Sequence, residues 1–160
     1  MRMYKTKNSL PENVRGQAIG LLSRNLALAV DLKLQTKQAH WNVKGANFIA
    51  LHELFDAIAT LADGWVDTIA ERITTLGGVA EGTLQAVAKN STLPAYPLNI
   101  TTGNAHIEAL SGALAAFGGS VRKAIDESAG FGDADTADVF TEVSREVDKQ
   151  LWFLEAHIQA

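Results

Sequence analysis

No cysteine occurs among the 160 residues, which excludes disulfides, thiol catalysis and cysteine metal sites. Of the three prolines, Pro11 falls where a helix start is expected and Pro94 and Pro97 share one connection. No run of about 18 apolar residues is present to span a membrane, and the opening Met-Arg-Met-Tyr-Lys-Thr-Lys lacks an apolar signal core. A soluble cytoplasmic protein is therefore expected, with no membrane partner. The formal net charge of −4 argues against a nucleic-acid binder that works through overall charge. The most informative absence is local: from Ala46 through Glu71 there is no Lys or Arg, while five side chains are acidic.

What is present in that stretch has helical order. His52, Asp56, Asp63, Asp67 and Glu71 follow one another at spacings of 4, 7, 4 and 4. At about 100° per residue all five fall on one side of a helix. Leu54, Ile58, Leu61, Trp65 and Ile69 form a second stripe, expected to face a core. A polar helix face is ordinarily just solvated, but this one carries a single sign of charge. Its neighbours Ala59, Ala62, Val66 and Ala70 are small or apolar, as a face approached by another helix would be.

His52 and Glu71 stand 19 residues apart, roughly 28 Å along an α-helix, so one metal ion cannot touch both in one chain. A second copy packed antiparallel across a twofold axis changes this. The midpoint of 52 and 71 is 61.5, and so is that of 56 and 67. The same axis therefore brings His52 opposite Glu71 of the other copy and Asp56 opposite Asp67. An isologous dimer makes two identical sites, which His40 in the preceding turn could close as a second imidazole. Carboxylate oxygen and imidazole nitrogen without thiolate suit iron, manganese or zinc.

With 47% hydrophobic residues the chain can bury one domain and is too short to suggest two. The expected division is a tail over 1–9 and a helical domain over 10–160. The first helix is expected from near Leu10 to near His40, with Ser9-Leu-Pro-Glu12 as a capping box. The second runs from about Asn47 to Leu76 and stops at Gly77-Gly78. A connection over 79–101 holds a short helix near Thr83 to Lys89. The third runs from about Gly103 to Ser128, weakened by Gly112, Gly118 and Gly119, and the fourth from about Asp135 to Gln159. No strand signal stands out, so the fold class is all-α: a four-helix bundle with a short extra helix in the long crossover. Trp65 and Trp152 are assigned to the core, and His106 and His157 to surface or capping roles.

Lys37-Gln-Ala-His-Trp-Asn-Val-Lys-Gly45, His52-Glu-Leu-Phe-Asp56 and Asp67-Thr-Ile-Ala-Glu-Arg-Ile-Thr-Thr-Leu-Gly-Gly78 together resemble the Dps proteins (DNA-binding proteins from starved cells), the ferritin-like miniferritins of bacteria. Similarity resumes at Thr136-Ala-Asp-Val-Phe140, Ser144-Arg-Glu-Val-Asp-Lys149 and Leu151-Trp-Phe-Leu-Glu155. The resemblance implies a ferritin-like bundle assembled into a hollow dodecameric shell. There Fe(II) is oxidised between subunits, with hydrogen peroxide or more slowly dioxygen, and the ferric product is stored. Carried over, His40, His52 and Asp56 come from one subunit and Asp67 and Glu71 from its neighbour, with Trp41 and Lys37 near the site. Zinc could take the place of iron on the same ligands.

Asp133, Asp135, Asp138 and Glu142 are pore candidates, since acidic residues at this helix start line iron-entry pores in such shells. The competing role is helix capping, assigned to Asp135. Glu53 is a candidate for nucleating ferric mineral. Arg2, Lys5 and Lys7 are the only basic tail candidates for DNA, so DNA binding is expected to be weak, with nucleoid association left open. A 24-subunit ferritin, which holds its iron inside one subunit through Glu-x-x-His pairs that this chain lacks, is one alternative. A DNA-compacting structural protein and a zinc adaptor without redox chemistry are the others.

Overall fold

The computed structural model describes residues 3–159. Five helices follow one another: α1 (Glu12–Asn42), α2 (Phe48–Thr75), α3 (Leu84–Asn90), α4 (Gly103–Gly130) and α5 (Ala134–Glu155). α1 packs chiefly on α2 and α4 on α5, with α1 also lying along α4. Two antiparallel hairpins are thus joined by the long connection that carries α3. Among the described residues no strand forms; Lys44 and Thr102 make a single isolated bridge, which ties the α1–α2 turn to the start of α4.

The core is one continuous cluster. Ile19, Leu22, Leu26 and Leu32 of α1 meet Phe55, Ile58, Ile69 and Ile73 of α2, Leu110, Leu114 and Phe117 of α4, and Phe140 and Val147 of α5. Burying a side chain of this size removes enough apolar surface from water to contribute about 1.5–3 kcal/mol, so the bundle follows from the apolar stripes. On α2 the buried stripe is Leu51, Phe55, Ile58, Ala62, Trp65, Ile69 and Ile73, while Leu54 and Leu61 are only half-buried. The expected stripe is therefore rotated by part of a turn. Ala59 and Ala62, expected on the approached face, are both buried within the chain.

Helix ends show where local chemistry acts. Gly77 has φ +89° and follows the last residues of α2; Gly78 N–H donates to Ile73 O and Gly77 N–H to Thr74 O. That pairing satisfies carbonyls that the helix end would leave bare, and glycine alone adopts the positive φ without strain. The expected capping box at Ser9 does not form. Pro11 occupies the cap position with no side-chain hydrogen bond, because proline's fixed φ begins the helix there and pushes Ser9 outside it. α4 runs unbroken through its glycines, and a Cβ at Gly118 would come within 3.1 Å of Val147 Cγ1. This glycine lets α4 and α5 approach closely. α5 ends at Glu155, four residues short of the expected Gln159.

The tail lies against the domain. Tyr4 N–H donates to Gly77 O at 2.7 Å, and Met3 packs on the core. Lys5 and Lys7 are exposed; Arg2 falls outside the described residues.

Two expectations about aromatic and imidazole groups are corrected. Trp152 is 59% exposed rather than core, because it sits one residue off the stripe of Val147 and Leu154. His106 is fully buried, lying beside Ile107 on the inner face of α4. Trp65 is core as expected, and the exposed His157 caps its own turn by donating Nδ1–H to Phe153 O at 2.7 Å.

Candidate metal centre

The end of α1 and the first turns of α2 place His40 and His52 face to face. Their rings stack with centroids 3.7 Å apart and planes 20° from parallel. His40 Nδ1 lies 2.8 Å from His52 O, and His52 Nδ1 lies 2.8 Å from His40 O. A carbonyl oxygen can only accept, so each Nδ1 carries a proton, and Nε2 is the nitrogen left to a metal. Such a bond on the far nitrogen fixes both tautomer and ring direction for metal binding. Two imidazole donors are thereby pre-organised within one chain.

Asp56, one helical turn after His52, comes within 4.0 Å of His40 Nε2 through Oδ1. The same oxygen accepts a hydrogen bond from Lys37 Nζ at 2.6 Å. That bond, with the lysine's charge behind it, holds the Asp56 carboxyl below the usual carboxylate range, so it stays ionised. Lys37 also stands 5.8 Å from the centre of the Trp41 ring, and Trp41 is 65% exposed at the edge of this group.

Farther along α2, Lys33 Nζ pairs with Asp63 Oδ1. Lys33 and Lys37 therefore supply from α1 part of the positive charge that α2 lacks. Asp67 and Glu71 are exposed and have no ion-pair partner among the described residues. The chain thus brings together His40, His52, Asp56 and Lys37, and it leaves Asp67 and Glu71 apart from them on the same helix. Among the described residues, no group of three or more His, Asp or Glu within one chain is arranged to hold a metal ion. Glu53 is exposed beside His52 and takes no part in the stacked pair.

At the start of α5 the acidic residues separate into two kinds. Asp133 is 1% exposed. Its Oδ1 accepts from Thr136 N at 3.0 Å and from Arg72 Nη2 at 2.7 Å, and its Oδ2 from Thr136 Oγ1 at 2.6 Å. It is the cap of α5 and a buried ion pair, which corrects both its pore assignment and the choice of Asp135 as the cap. Asp135, with Oδ2 3.7 Å from Arg72 Nη1, and Asp138 are exposed. Glu142, one helical turn beyond Asp138, lines a groove between α2 and α5 with Thr60, Gly64, Trp65 and Glu146. The indole N–H of Trp65 donates to Glu146 there.

One polar pair, a buried imidazole and a half-buried phenol, was not visible to sequence reasoning. Tyr96 Oη lies 2.5 Å from His106 Nδ1. Burial lowers the His106 pKa, against an opposing interaction with the Asn42 backbone, and pushes the Tyr96 phenol up. The hydroxyl is therefore the donor and the neutral imidazole the acceptor. Residue types at spacing ten, one of them in a connection, carry no periodic signal that could have linked the two.

Comparison with known proteins agrees with this architecture. The Ferritin-like domain family matches residues 19–160. A DNA protection during starvation protein of Agrobacterium fabrum is 52% identical over 159 residues, covering 99% of this chain and 98% of its own. One from Mycolicibacterium smegmatis is 36% identical, covering 88% and 76%. Among solved structures, DpsC from Streptomyces coelicolor superposes with a TM-score of 0.94 at 30% identity, covering 99% of this chain and 92% of that one. On sequence and fold together, the chain belongs to the ferritin-like family, among its Dps (DNA protection during starvation) members.

Proposed function

We propose that the protein oxidises Fe(II) at sites shared between two subunits and stores the ferric product inside a shell of twelve chains. The observation that carries this reading is the reciprocal pair of His40 and His52, whose Nδ1 bonds leave Nε2 to a metal on both rings, with His40 Nε2 4.0 Å from ionised Asp56. Half a ligand set is built in the chain, and the other half, Asp67 and Glu71, stands on the same helix without partners. An antiparallel copy of α2 about residue 61.5 supplies the missing half.

The chemistry follows from the donors. Two imidazoles give affinity for the ferrous substrate, and hard carboxylates favour the ferric product. Two Fe(II) ions reduce one hydrogen peroxide to water, and the Fe(III) formed passes to an oxyhydroxide core. Dioxygen serves as a slower oxidant. Consuming iron and peroxide together limits hydroxyl radicals, which suits a cytoplasmic protective protein. A related structure is of Dps from Microbacterium arborescens in a high iron form, which supports iron as the cargo. Asp135 and Asp138, exposed at the start of α5, are the residues assigned to iron entry, and Glu53 to mineral nucleation.

The test is addition of Fe(II) under anaerobic conditions, then hydrogen peroxide, with optical monitoring of ferric formation and light scattering of the product. Fast ferric formation by a particle of about 200 kDa, twelve chains of 17.1 kDa in a closed assembly, is expected. A monomer at micromolar concentration, or metal binding without oxidation, would refute the reading; the latter is the behaviour of a zinc adaptor.

A further inference from the structure

α1 and α2 end in different ways. The last carbonyls of a helix have no partner within it, and at α2 the N–H groups of Gly77 and Gly78 return to satisfy them. After Asn42 the chain instead leaves α1 in extended conformation at Val43, and Lys44 follows, so no glycine turn closes this end. Two imidazoles from other helices reach it. His52 lies with Nδ1 2.8 Å from His40 O, and the fully buried His106 of α4 interacts with the Asn42 backbone. Tyr96 Oη holds His106 Nδ1 at 2.5 Å, so Nε2 is the nitrogen turned to Asn42, and it completes no ordinary hydrogen bond with any other described group.

The imidazole is anchored on its remaining sides. Phe55 lies against it with ring centres 6.4 Å apart. About one turn before His106, the start of α4 is tied to the same loop by Lys44 N–H, which donates to Thr101 O at 3.0 Å.

We propose that His106 is a positioning residue for the metal centre: fixed by half-buried Tyr96, it holds the end of α1 through the Asn42 carbonyl and so sets the direction in which His40 presents Nε2. This rests on the reading of His40 and His52 as metal ligands and extends it to α4 and the crossover. The Tyr96 hydroxyl selects the tautomer, because an Nδ1 that accepts leaves the proton on Nε2, the form that can donate to a carbonyl. Asn42 stands two residues after His40, within one helical turn, so a shift of its carbonyl moves the His40 ring and with it the reciprocal bonds to His52. Phe55 carries the same contact to α2, where it precedes Asp56 and follows His52 by three residues. Groups that orient a ligand imidazole govern metal affinity almost as the ligand does. A leucine could fill the place of His106, but it could neither donate to Asn42 nor accept from Tyr96.

Cobalt(II) is the probe, since it takes imidazole and carboxylate ligands and its visible absorption reports their geometry. It is titrated against a competing chelator into the assembled protein, well below the denaturation midpoint of each variant. His106→Leu should bind Co(II) about tenfold more weakly with a changed absorption band, and its KM for Fe(II) should rise more than its kcat falls. His106→Gln, which keeps an amide N–H for Asn42 and an oxygen for Tyr96, should recover most of the affinity and the band position. Tyr96→Phe should move both toward the leucine variant, by less. Wild-type affinity and spectrum in His106→Leu, or no recovery in His106→Gln, overturn the inference and leave the iron reading standing. Should the leucine variant fail to assemble, Tyr96→Phe decides, and an unchanged affinity and spectrum there overturn the inference. A wild type that binds no Co(II) removes the metal centre and the inference with it.

Discussion

His40 and His52 each donate Nδ1–H to the other's backbone carbonyl, both at 2.8 Å. The bonds lock two rings on two different helices into one orientation. They also join the end of α1 to the start of α2 across a turn containing Gly45 at φ +117°, a value that suits glycine. Local structure and site geometry are here the same feature, since whatever closes the turn also aims the two lone pairs.

Asp133 and Asp135 separate capping from surface charge. Removing Asp133 strips α5 of its cap and leaves the guanidinium of Arg72, only 11% exposed, without its buried partner. Breaking a buried pair in this way costs about 3–5 kcal/mol. Asp133→Ala should therefore lower the denaturation midpoint strongly, while Asp135→Ala should change stability by less than about 0.5 kcal/mol. Equal effects in urea titrations of the two variants would contradict the assignment.

Burial holds His106 neutral in the folded protein, with its pKa below the ordinary 6.5. Below that value the unfolded chain takes up a proton that the folded chain refuses, so unfolding is favoured as pH falls. The contribution is complete above about pH 6.5 and is lost progressively as pH drops toward the folded value. In His106→Gln this part of the pH dependence of stability should vanish. Denaturation midpoints measured from pH 7.5 to 5 check it, and an unchanged slope would show that the imidazole is not buried neutral.

How much of this was legible beforehand differs by element. α2 could be read almost to the residue, because its end is written in Gly77-Gly78 and its polar face in the spacing from His52 to Glu71. The imidazole pair and Asp56 were likewise readable, since short-range helical periodicity and one turn place them. Contacts between helices left no such mark. Lys33 and Lys37 lie on α1, so the composition of α2 could not reveal that they neutralise Asp63 and Asp56. Asp133 and Asp135 are both plausible caps by type, and only the folded chain, with Thr136 N–H and Arg72 Nη2 both donating to Asp133, distinguishes them. Trp152 missed the core by one position, which on a helix is a rotation of about 100°.

DNA contact is predicted to be weak. Lys5 and Lys7 are exposed, but the backbone beside them is tied down through Tyr4 and Gly77, and the chain as a whole carries a net charge of −4. Repetition around a shell multiplies few phosphate contacts, each of which weakens with salt. A plasmid gel-shift titration at about 150 mM salt should show little retention. Tight retention that disappears on deleting residues 1 to 7 would reverse this conclusion.

The shared site is the centre of the account, and mixed assemblies test it most directly. A variant lacking the His40 and His52 imidazoles and a second lacking the Asp67 and Glu71 carboxylates should each lose fast ferric formation. Co-assembled shells of the two should regain part of it, because a mixed dimer keeps one complete site and loses the other. Iron oxidation that stays absent in shells shown by mass spectrometry to contain both variants would contradict a site built from two subunits.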